Sequence, residues 1–243
     1  VRSGGDFVDD DGNAEDNRTG VDSNHDGVPD EAAGHGTFVA GTIALVAPEA
    51  RLVAYRALDS DGQGTTYDAA QAPTAAADAG AKVITLSSGT RDGVPSRVLD
   101  DAVDYARARG AVVVAAAGNY GDAHQTYPAA RPGVLSVGAL AAGSAERLAA
   151  FSSRGGWVKV AAPGVGIVGP MPGGGFARWS GTSMAAPFVA GQAALLWAAN
   201  PRRTPAAGPA TITRPPHRRA GGGVAYGAVD VLASLRPLCP WRC

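Results

Sequence analysis

The sequence predicts a three-layer αβα sandwich, an α/β domain with helices on both faces of a mostly parallel central sheet. Two observations predict this class. Apolar runs rich in Val and Ala alternate with helix-patterned segments, and several runs are apolar at consecutive rather than alternating positions. A strand with consecutive apolar residues is buried on both faces, as parallel strands are. Ligands in such folds bind beyond the carboxyl ends of the strands, where we expect the functional residues.

Five short segments rich in Val, Ile, Leu and Ala are predicted as the strands. Their length and apolar content fit strands that cross a buried sheet. The segments are residues 51–58, 82–87, 111–117, 133–140 and 157–162.

Helices are predicted between and after these strands. Residues 96–109 begin at a Ser that can cap a helix and end before a Gly, with apolar residues at helical spacing. Residues 65–79 are rich in Ala, and Pro73 is expected to kink or shorten that helix. Residues 183–199 are apolar almost all round, which predicts a buried helix.

The length of 243 residues favours a single domain over residues 1–243. Residues 201–224 contain five prolines and three consecutive glycines, which predicts irregular chain. A short final helix is predicted at 227–236, followed by a tail at 237–243 that holds both cysteines, Cys239 and Cys243. Disulfides therefore do not build the core, and both a small local loop and two free thiols stay open.

The composition excludes several classes of protein. A content of 45% hydrophobic residues with a net charge of −1 excludes a disordered chain and gives no case for nucleic acid or an anionic membrane as partner. No run of about 18 apolar residues exists, so no membrane-spanning helix is expected. Residues 1–31 hold ten acids against two Arg, and residues 201–219 hold five Arg and no acid, which we interpret as surface loops.

Three short segments carry residues that could take part in catalysis. His35 lies between two glycines at a predicted loop-to-helix junction, where its ring can reach a cleft. Ser183 opens the predicted buried helix, where unpaired N–H groups favour developing negative charge. Asn119 follows a predicted strand, so its amide can donate to an oxyanion. Each residue alone also fits a structural histidine, an ordinary N-cap serine or a turn-forming asparagine.

Together and in this order, the segments resemble the subtilisin-like serine protease family (subtilases, peptidase S8). The resemblance is carried by GHGTFVAG at 34–41 and GTSMAAPFVAG at 181–191, with support from KVITLSSG at 82–89 and APG at 162–164. It extends from about Asp6 to Asp230. It implies a subtilisin-like fold and a secreted, monomeric serine endopeptidase that acts on polypeptides.

The resemblance also implies residue roles. Ser183 would be the nucleophile and His35 the general base, while Asn119 and the Ser183 backbone N–H would form the oxyanion hole. No cofactor would be required for this chemistry. The substrate-binding residues that the resemblance implies are Ser87, Ser88 and Gly89 beside the extended substrate, Ala116, Ala117 and Gly118 along the primary specificity pocket, and Thr126 at its floor. A Thr at this position predicts a shallower pocket than a Gly would leave.

One expected feature of the family is missing. The triad Asp of subtilases ends an apolar strand within an Asp-Thr/Ser-Gly sequence, and no such segment occurs. Asp6 lies 29 residues before His35 but lacks both the preceding apolar strand and the small-Gly pair. We therefore expect a catalytic domain that is incomplete at its N-terminus and begins after the catalytic Asp. In subtilisin itself, removing only that Asp costs on the order of 10⁴ in turnover, so we expect weakened activity.

A loop before His35 carries oxygen side chains at alternating positions followed by a Gly, like the first half of an EF-hand calcium loop. Ala33 occupies the place of the bidentate acid. A structural calcium site and an acidic surface insertion are both open interpretations. The candidate metal ligands are Asp22, Asn24, Asp26 and Asp30.

Two other functions compete with the protease. The chain could be a non-catalytic subtilase-like binding or scaffold domain, although retention of His35, Asn119 and Ser183 together argues against it. It could also be a calcium-dependent interaction module, which only the acidic loop supports. A lipase-type hydrolase is disfavoured because Ser183 lacks the Gly-x-Ser-x-Gly elbow.

Overall fold

The computed structural model describes residues 1–90, 93–201, 207–213 and 223–236. In chain order the elements are β1 (Arg2–Asp6), α1 (His35–Val46), β2 (Val53–Arg56), α2 (Thr66–Asp78), β3 (Val83–Leu86), α3 (Arg97–Ala108), β4 (Val112–Ala116), β5 (Leu135–Leu140), β6 (Val160–Pro163), β7 (Ile167–Pro170), β8 (Phe176–Trp179), α4 (Thr182–Ala199), α5 (Ala207–Ile212) and α6 (Val231–Leu235).

The central sheet is parallel, with strand order β3-β4-β5-β6. Every residue of β4 and β5 is buried, which explains why these strands are apolar at consecutive positions. Alternate residues of β4 face opposite layers. Val112 and Val114 pack in a core cluster with helix α4, whereas Val113 packs in a second cluster with α2 and α3. Because α4 packs on one face of this sheet and α2 and α3 pack on the other, the domain has three layers and the predicted α/β class is confirmed.

A second parallel sheet pairs β1 with β2. The sequence pattern predicts β2 but no strand before residue 51. The segment RSGGD is polar and glycine-rich, and three of its five residues are exposed, so β1 has no hydrophobic pattern to reveal it. Among the described strands, β2 pairs only with β1 and β3 only with β4, so each keeps one unpaired edge.

The helices follow the predicted segments, with two corrections. Helix α2 starts at a capping box between Thr65 and Asp68 and continues to Asp78 with Pro73 inside it, so Pro73 does not shorten the helix, and the alternative of a kink stays a prediction. Helix α5 lies within the segment predicted to be irregular; its Pro209 falls in the first turn, where proline is tolerated. Cys239 and Cys243, the tail at 237–243 and most of residues 201–224 lie outside the described residues.

An unpredicted antiparallel hairpin, β7–β8, lies beside α1. Trp179 of this hairpin stacks on Phe38 of α1, with ring centroids 5.2 Å apart. The hairpin leads directly into α4, so the same segment contacts α1 and positions the start of α4. Within the described ranges, no helix combines the length and apolarity needed to cross a membrane.

Candidate active site

The packing of α1 against α4 places His35 and Ser183 at the same end of the helix pair. The two helices approach closely at Gly191, where an added Cβ would lie 2.6 Å from the Cβ of Val46. This crossing lies eight residues after Ser183 and eleven after His35. Trp179, four residues before Ser183, also lies over the His35 ring with centroids 6.2 Å apart. Both helices therefore begin beside the hairpin, and His35 is not among the residues that line the pocket described below.

Ser183 stands in the first turn of α4, close to the end of β3. Its hydroxyl donates to the Ser87 carbonyl at 3.1 Å, and the Ser87 hydroxyl donates to the Ser183 carbonyl at 3.4 Å. Within the described residues, no hydrogen bond joins Ser183 to the His35 ring. The backbone N–H of Ser183 is one of the first N–H groups of α4, which have no acceptor within the helix.

Asn119 is oriented by Thr182, a residue that the sequence analysis did not single out. The Asn119 Oδ1 accepts from the Thr182 backbone N–H at 2.8 Å and from its hydroxyl at 3.0 Å. The Thr182 hydroxyl oxygen in turn accepts from the backbone N–H of Gly118 at 3.0 Å. Because two donors hold the amide oxygen, the amide NH₂ points away from Thr182 and remains available as a donor. The Thr in the Gly-Thr-Ser segment was the signal that could have revealed this role.

A pocket of about 530 Å³ gathers most of the predicted substrate residues. It lies where β3 and β4 end, as expected for a parallel sheet. Predicted residues Ser88 and Ala117 are not in its lining, whereas Thr90, Tyr120 and Thr182 line it without having been predicted. The lining residues are Ser87, Gly89, Thr90, Ala116, Gly118, Asn119, Tyr120, Thr126, Thr182 and Ser183.

Thr126 closes one wall of this pocket. It is buried, and its hydroxyl donates to the Ala117 carbonyl at 2.8 Å. Ala117 is itself fully buried, so it contributes this carbonyl rather than pocket surface. The Thr126 methyl carbon lies 3.0 Å from where a Cβ of Gly118 would stand. Gly118 has φ +99°, a left-handed conformation that favours glycine.

The environment of His35 favours the neutral imidazole. Burial lowers the pKa of His35 below its ordinary value, and the negative charge of Asp16 partly opposes that shift. A neutral imidazole at pH 7 can accept a proton, as a general base must. Asp16 also bonds to the backbone around His35, through Gly34 and Thr37.

Asp6 does not act on His35 in this structure. Its carboxylate accepts from Arg56 at 2.8 Å and from the backbone N–H groups of Val8 and Asp9 at 2.7 and 3.1 Å. Burial would raise the pKa of Asp6, but these donors together lower it. Asp6 therefore joins β1 to β2, and within the described residues no carboxylate hydrogen-bonds to the His35 ring.

The candidate calcium ligands bond mainly to the backbone of their own loop. Asp22 accepts from the N–H groups of Asp26 and Gly27, and Asp30 accepts from Thr19 and Gly20, away from the other three. Over the described ranges, no group of three or more acidic, His or Cys side chains is arranged to hold a metal ion. The carboxylates are thus directed to backbone N–H groups rather than to a shared centre; calcium binding stays a prediction, and no step below involves the ion.

The sequence is similar to a protein-family model and to two proteins of known sequence. A family model described as "Subtilase family" matches residues 2–225. The chain is 47% identical over 186 residues to the "Thermophilic serine proteinase" of Bacillus sp. (strain AK1), covering 72% of this chain and 45% of that protein. It is 41% identical over 204 residues to "Thermitase" of Thermoactinomyces vulgaris, covering 73% of this chain and 72% of thermitase.

Solved structures agree with these relatives. A "cold adapted subtilisin-like serine proteinase" superposes with a TM-score of 0.77 at 32% identity, covering 94% of this chain and 81% of that one. The protease domain of PatA, solved in a mutant form, gives a TM-score of 0.75 at 32% identity, covering 87% of this chain and 83% of that one. The family model spans nearly the whole described chain, and the fold agrees with it, so this chain belongs to the subtilase family.

Proposed function

We propose that this chain is the catalytic domain of a serine endopeptidase. The observation that carries the proposal is the arrangement around Thr182: it fixes the Asn119 amide beside the pocket and places Ser183 next in the chain, at the start of α4. An amide donor and a free helix N–H beside one hydroxyl form a site suited to a tetrahedral oxyanion. The protease relatives support the proposal, although the chain spans only 45% of the first of them.

The proposed reaction uses these groups in sequence. The Ser183 hydroxyl turns from the Ser87 carbonyl towards His35, gives its proton to the neutral imidazole and attacks the peptide carbonyl carbon. The Asn119 amide and the Ser183 backbone N–H donate to the resulting oxyanion. His35 then passes the proton to the leaving amine, and water hydrolyses the acyl-enzyme by the same route.

The substrate would bind as an extended polypeptide. Residues beyond the ends of β3 and β4 would pair with its backbone, and the pocket would take one side chain. The buried Thr126 narrows that pocket, so we propose a preference for small and medium-sized side chains over large aromatic ones. Cleavage of a peptide library tests this; dominance of Phe, Tyr and Trp at the primary position would refute it.

A fluorophosphonate probe tests the nucleophile. The probe forms an Oγ–P bond with an activated serine and releases fluoride, so it reports nucleophilicity without requiring turnover. We expect labelling of the native chain and none of Ser183→Ala, while Ser180→Ala, which changes an exposed serine three residues away, should label normally. Equal labelling of native chain and Ser183→Ala would remove Ser183 from its role.

A non-catalytic peptide-binding domain is the second candidate. The observation that favours it is that no described carboxylate hydrogen-bonds to His35. It predicts that an unreactive chain still binds extended peptides, which fluorescence anisotropy would detect. The family resemblance further leads us to propose an extracellular monomer, testable by cell fractionation and by light scattering of the purified protein.

A further inference from the structure

Helix α1 lacks a capping group of its own. Its N-cap residue is Gly34, in a left-handed conformation with φ 92°, and its first turn contains no acidic residue. The N–H groups at a helix start need acceptors from outside the helix. Asp16, eighteen residues before Gly34 in the chain, supplies acceptors here.

The Asp16 carboxylate accepts hydrogen bonds from the chain on both sides of His35. One oxygen, Oδ1, accepts from the backbone N–H of Gly34 at 2.8 Å. The other, Oδ2, accepts from the backbone N–H of Thr37 at 2.9 Å and from its hydroxyl at 3.0 Å. The two bonded N–H groups bracket His35, so the turn that carries the imidazole is fixed to one anion.

Among the described charged groups, Asp16 is the one that bears on the pKa of His35. The pKa of its ring is lowered by burial, and Asp16 is the charge that opposes this. The hairpin brings the uncharged Trp179 against the ring, while Arg178 of the same strand donates to the Gly166 carbonyl. Helix α4 starts with Thr182 and Ser183, also uncharged. On β2, Arg56 is held by Asp6 and Asp9.

We propose that Asp16 is a positioning residue for His35, fixing the first turn of α1 and stabilising the imidazole when it is protonated. The inference rests on the proposed general-base role of His35. Asp16 does not touch the reacting atoms and takes no proton. When the Ser183 proton moves to His35, the ring becomes a cation that the negative charge of Asp16 attracts, which lowers the free energy of that state. The side chain thus supplies some of the stabilisation that a triad carboxylate gives.

Two substitutions at Asp16 separate the effect of its charge from the effect of its hydrogen bonds to the start of helix α1. Asp16→Asn removes the charge and one of the two acceptors. Asp16→Glu keeps the charge but displaces the oxygens from the helix start. The matched control is Asp68→Asn, which damages the capping box of α2, a helix with no predicted site residue. If Asp16 served only to cap helix α1, Asp16→Asn would leave the titration midpoint of His35 unchanged, as the Asp68 control does.

The first readout is the NMR titration of the His35 ring, which does not depend on catalysis. We expect Asp16→Asn to move its midpoint to lower pH, Asp16→Glu to return it towards the native value, and Asp68→Asn to leave it unchanged. The second readout is the rate of fluorophosphonate labelling at pH 7. We expect a loss of about two- to tenfold in Asp16→Asn, as for a weakly coupled contact, and none in Asp68→Asn.

The outcomes are separable. An unchanged His35 midpoint in Asp16→Asn, or an equal shift in Asp68→Asn, would overturn the proposal. If Asp16→Asn fails to fold, Asp16→Glu decides: loss of the native midpoint despite the retained charge and intact circular dichroism would also overturn it. If the native chain is not labelled at all, the proposed function falls, while the titration still reports whether Asp16 acts on His35.

Discussion

The hydroxyl of Thr182 offers a quantitative test of how the oxyanion donor is held. Thr182→Val preserves the side-chain shape but removes one of the two donors to Asn119 Oδ1 and the only described acceptor of the Gly118 N–H. Thr182 is 1% exposed, so water does not replace these bonds. Leaving the Gly118 N–H without a partner costs about 1–3 kcal/mol of stability. For a chain of this size that lowers Tm by roughly 2–12 °C.

The effect on activity is expected to be larger than a loss of stability explains. Removing an oxyanion side-chain donor costs about 10²–10³ in turnover in subtilisin, the measured example. In Thr182→Val the Asn119 amide remains but is held by the backbone N–H alone, so we expect a loss of about tenfold, below that ceiling. Thr182→Ser retains the hydroxyl and should keep most of the activity. Labelling rates and turnover of a chromogenic peptide measure both variants.

A double-mutant cycle with Asn119→Ala tests whether Thr182 acts by orienting Asn119. If Thr182 acts by orienting Asn119, then Thr182→Val should add little once Asn119 is removed, because residues acting as a unit are not additive. Full additivity, measured on folded variants at a temperature well below each Tm, would refute the positioning role. An inactive Thr182→Ser would also contradict it, since that variant keeps every bond described.

Three further predictions concern the pocket, the sheet junction and the acidic loop. Thr126→Gly should deepen the pocket and shift cleavage towards larger side chains; an unchanged peptide-library profile would place Thr126 outside the specificity site. Asp6→Asn should cost about 1–3 kcal/mol at pH 7 because Arg56 loses a charged partner. The donors around Asp6 lower its pKa in the folded state. Its contribution to the free energy of unfolding is therefore present above the unfolded pKa and is lost as pH falls through the folded pKa. The free energies of unfolding of the native and variant chains, measured by urea titration, should converge in acid. Repulsion by Asp26 is the main cause of a raised Glu31 pKa, so the ionised Glu31 destabilises the folded chain at pH 7. Glu31→Gln removes that charge and should raise Tm, measured in the presence of a chelator. Glu49→Gln is the control and should leave Tm unchanged. Calcium binding by this loop stays a prediction: a chelator-reversible rise in Tm would support it, and an unchanged Tm would exclude it.

Sequence pattern predicted the central layers of this fold well because burial on both faces leaves a readable signature. Strand β4 is apolar at all five positions, and α4 is apolar almost all round, so each could be assigned without tertiary information. Strand β1 carried no such signature. It is a polar edge strand whose hydrogen bonds to β2 do not depend on which side chains it presents.

The residues of the candidate site likewise divide into those that the sequence identifies and those that only the structure reveals. His35, Asn119 and Ser183 lie in compact local segments that the family resemblance marks, so they could be named from sequence. Thr182 and Asp16 act through contacts between segments far apart in the chain, 63 and 18 to 21 residues from their partners. Spacing along a sequence does not encode such contacts: the Gly-Thr-Ser segment marks Thr182 as a candidate, but its partner Asn119, and the role of Asp16, become visible only in the packed structure.

The division of the parallel strands into two sheets has a consequence for how the protein opens. Among the described residues no strand is hydrogen-bonded to both sheets, so β1 and β2 are joined to the larger sheet by side-chain packing, with Tyr55 against the cluster of α2 and α3. Side-chain packing can separate without breaking a backbone ladder, so the two sheets should behave as distinct cooperative units. Amide hydrogens of Val53–Arg56 should therefore exchange with solvent well before those of Val112–Ala116, whose strand is paired on both sides.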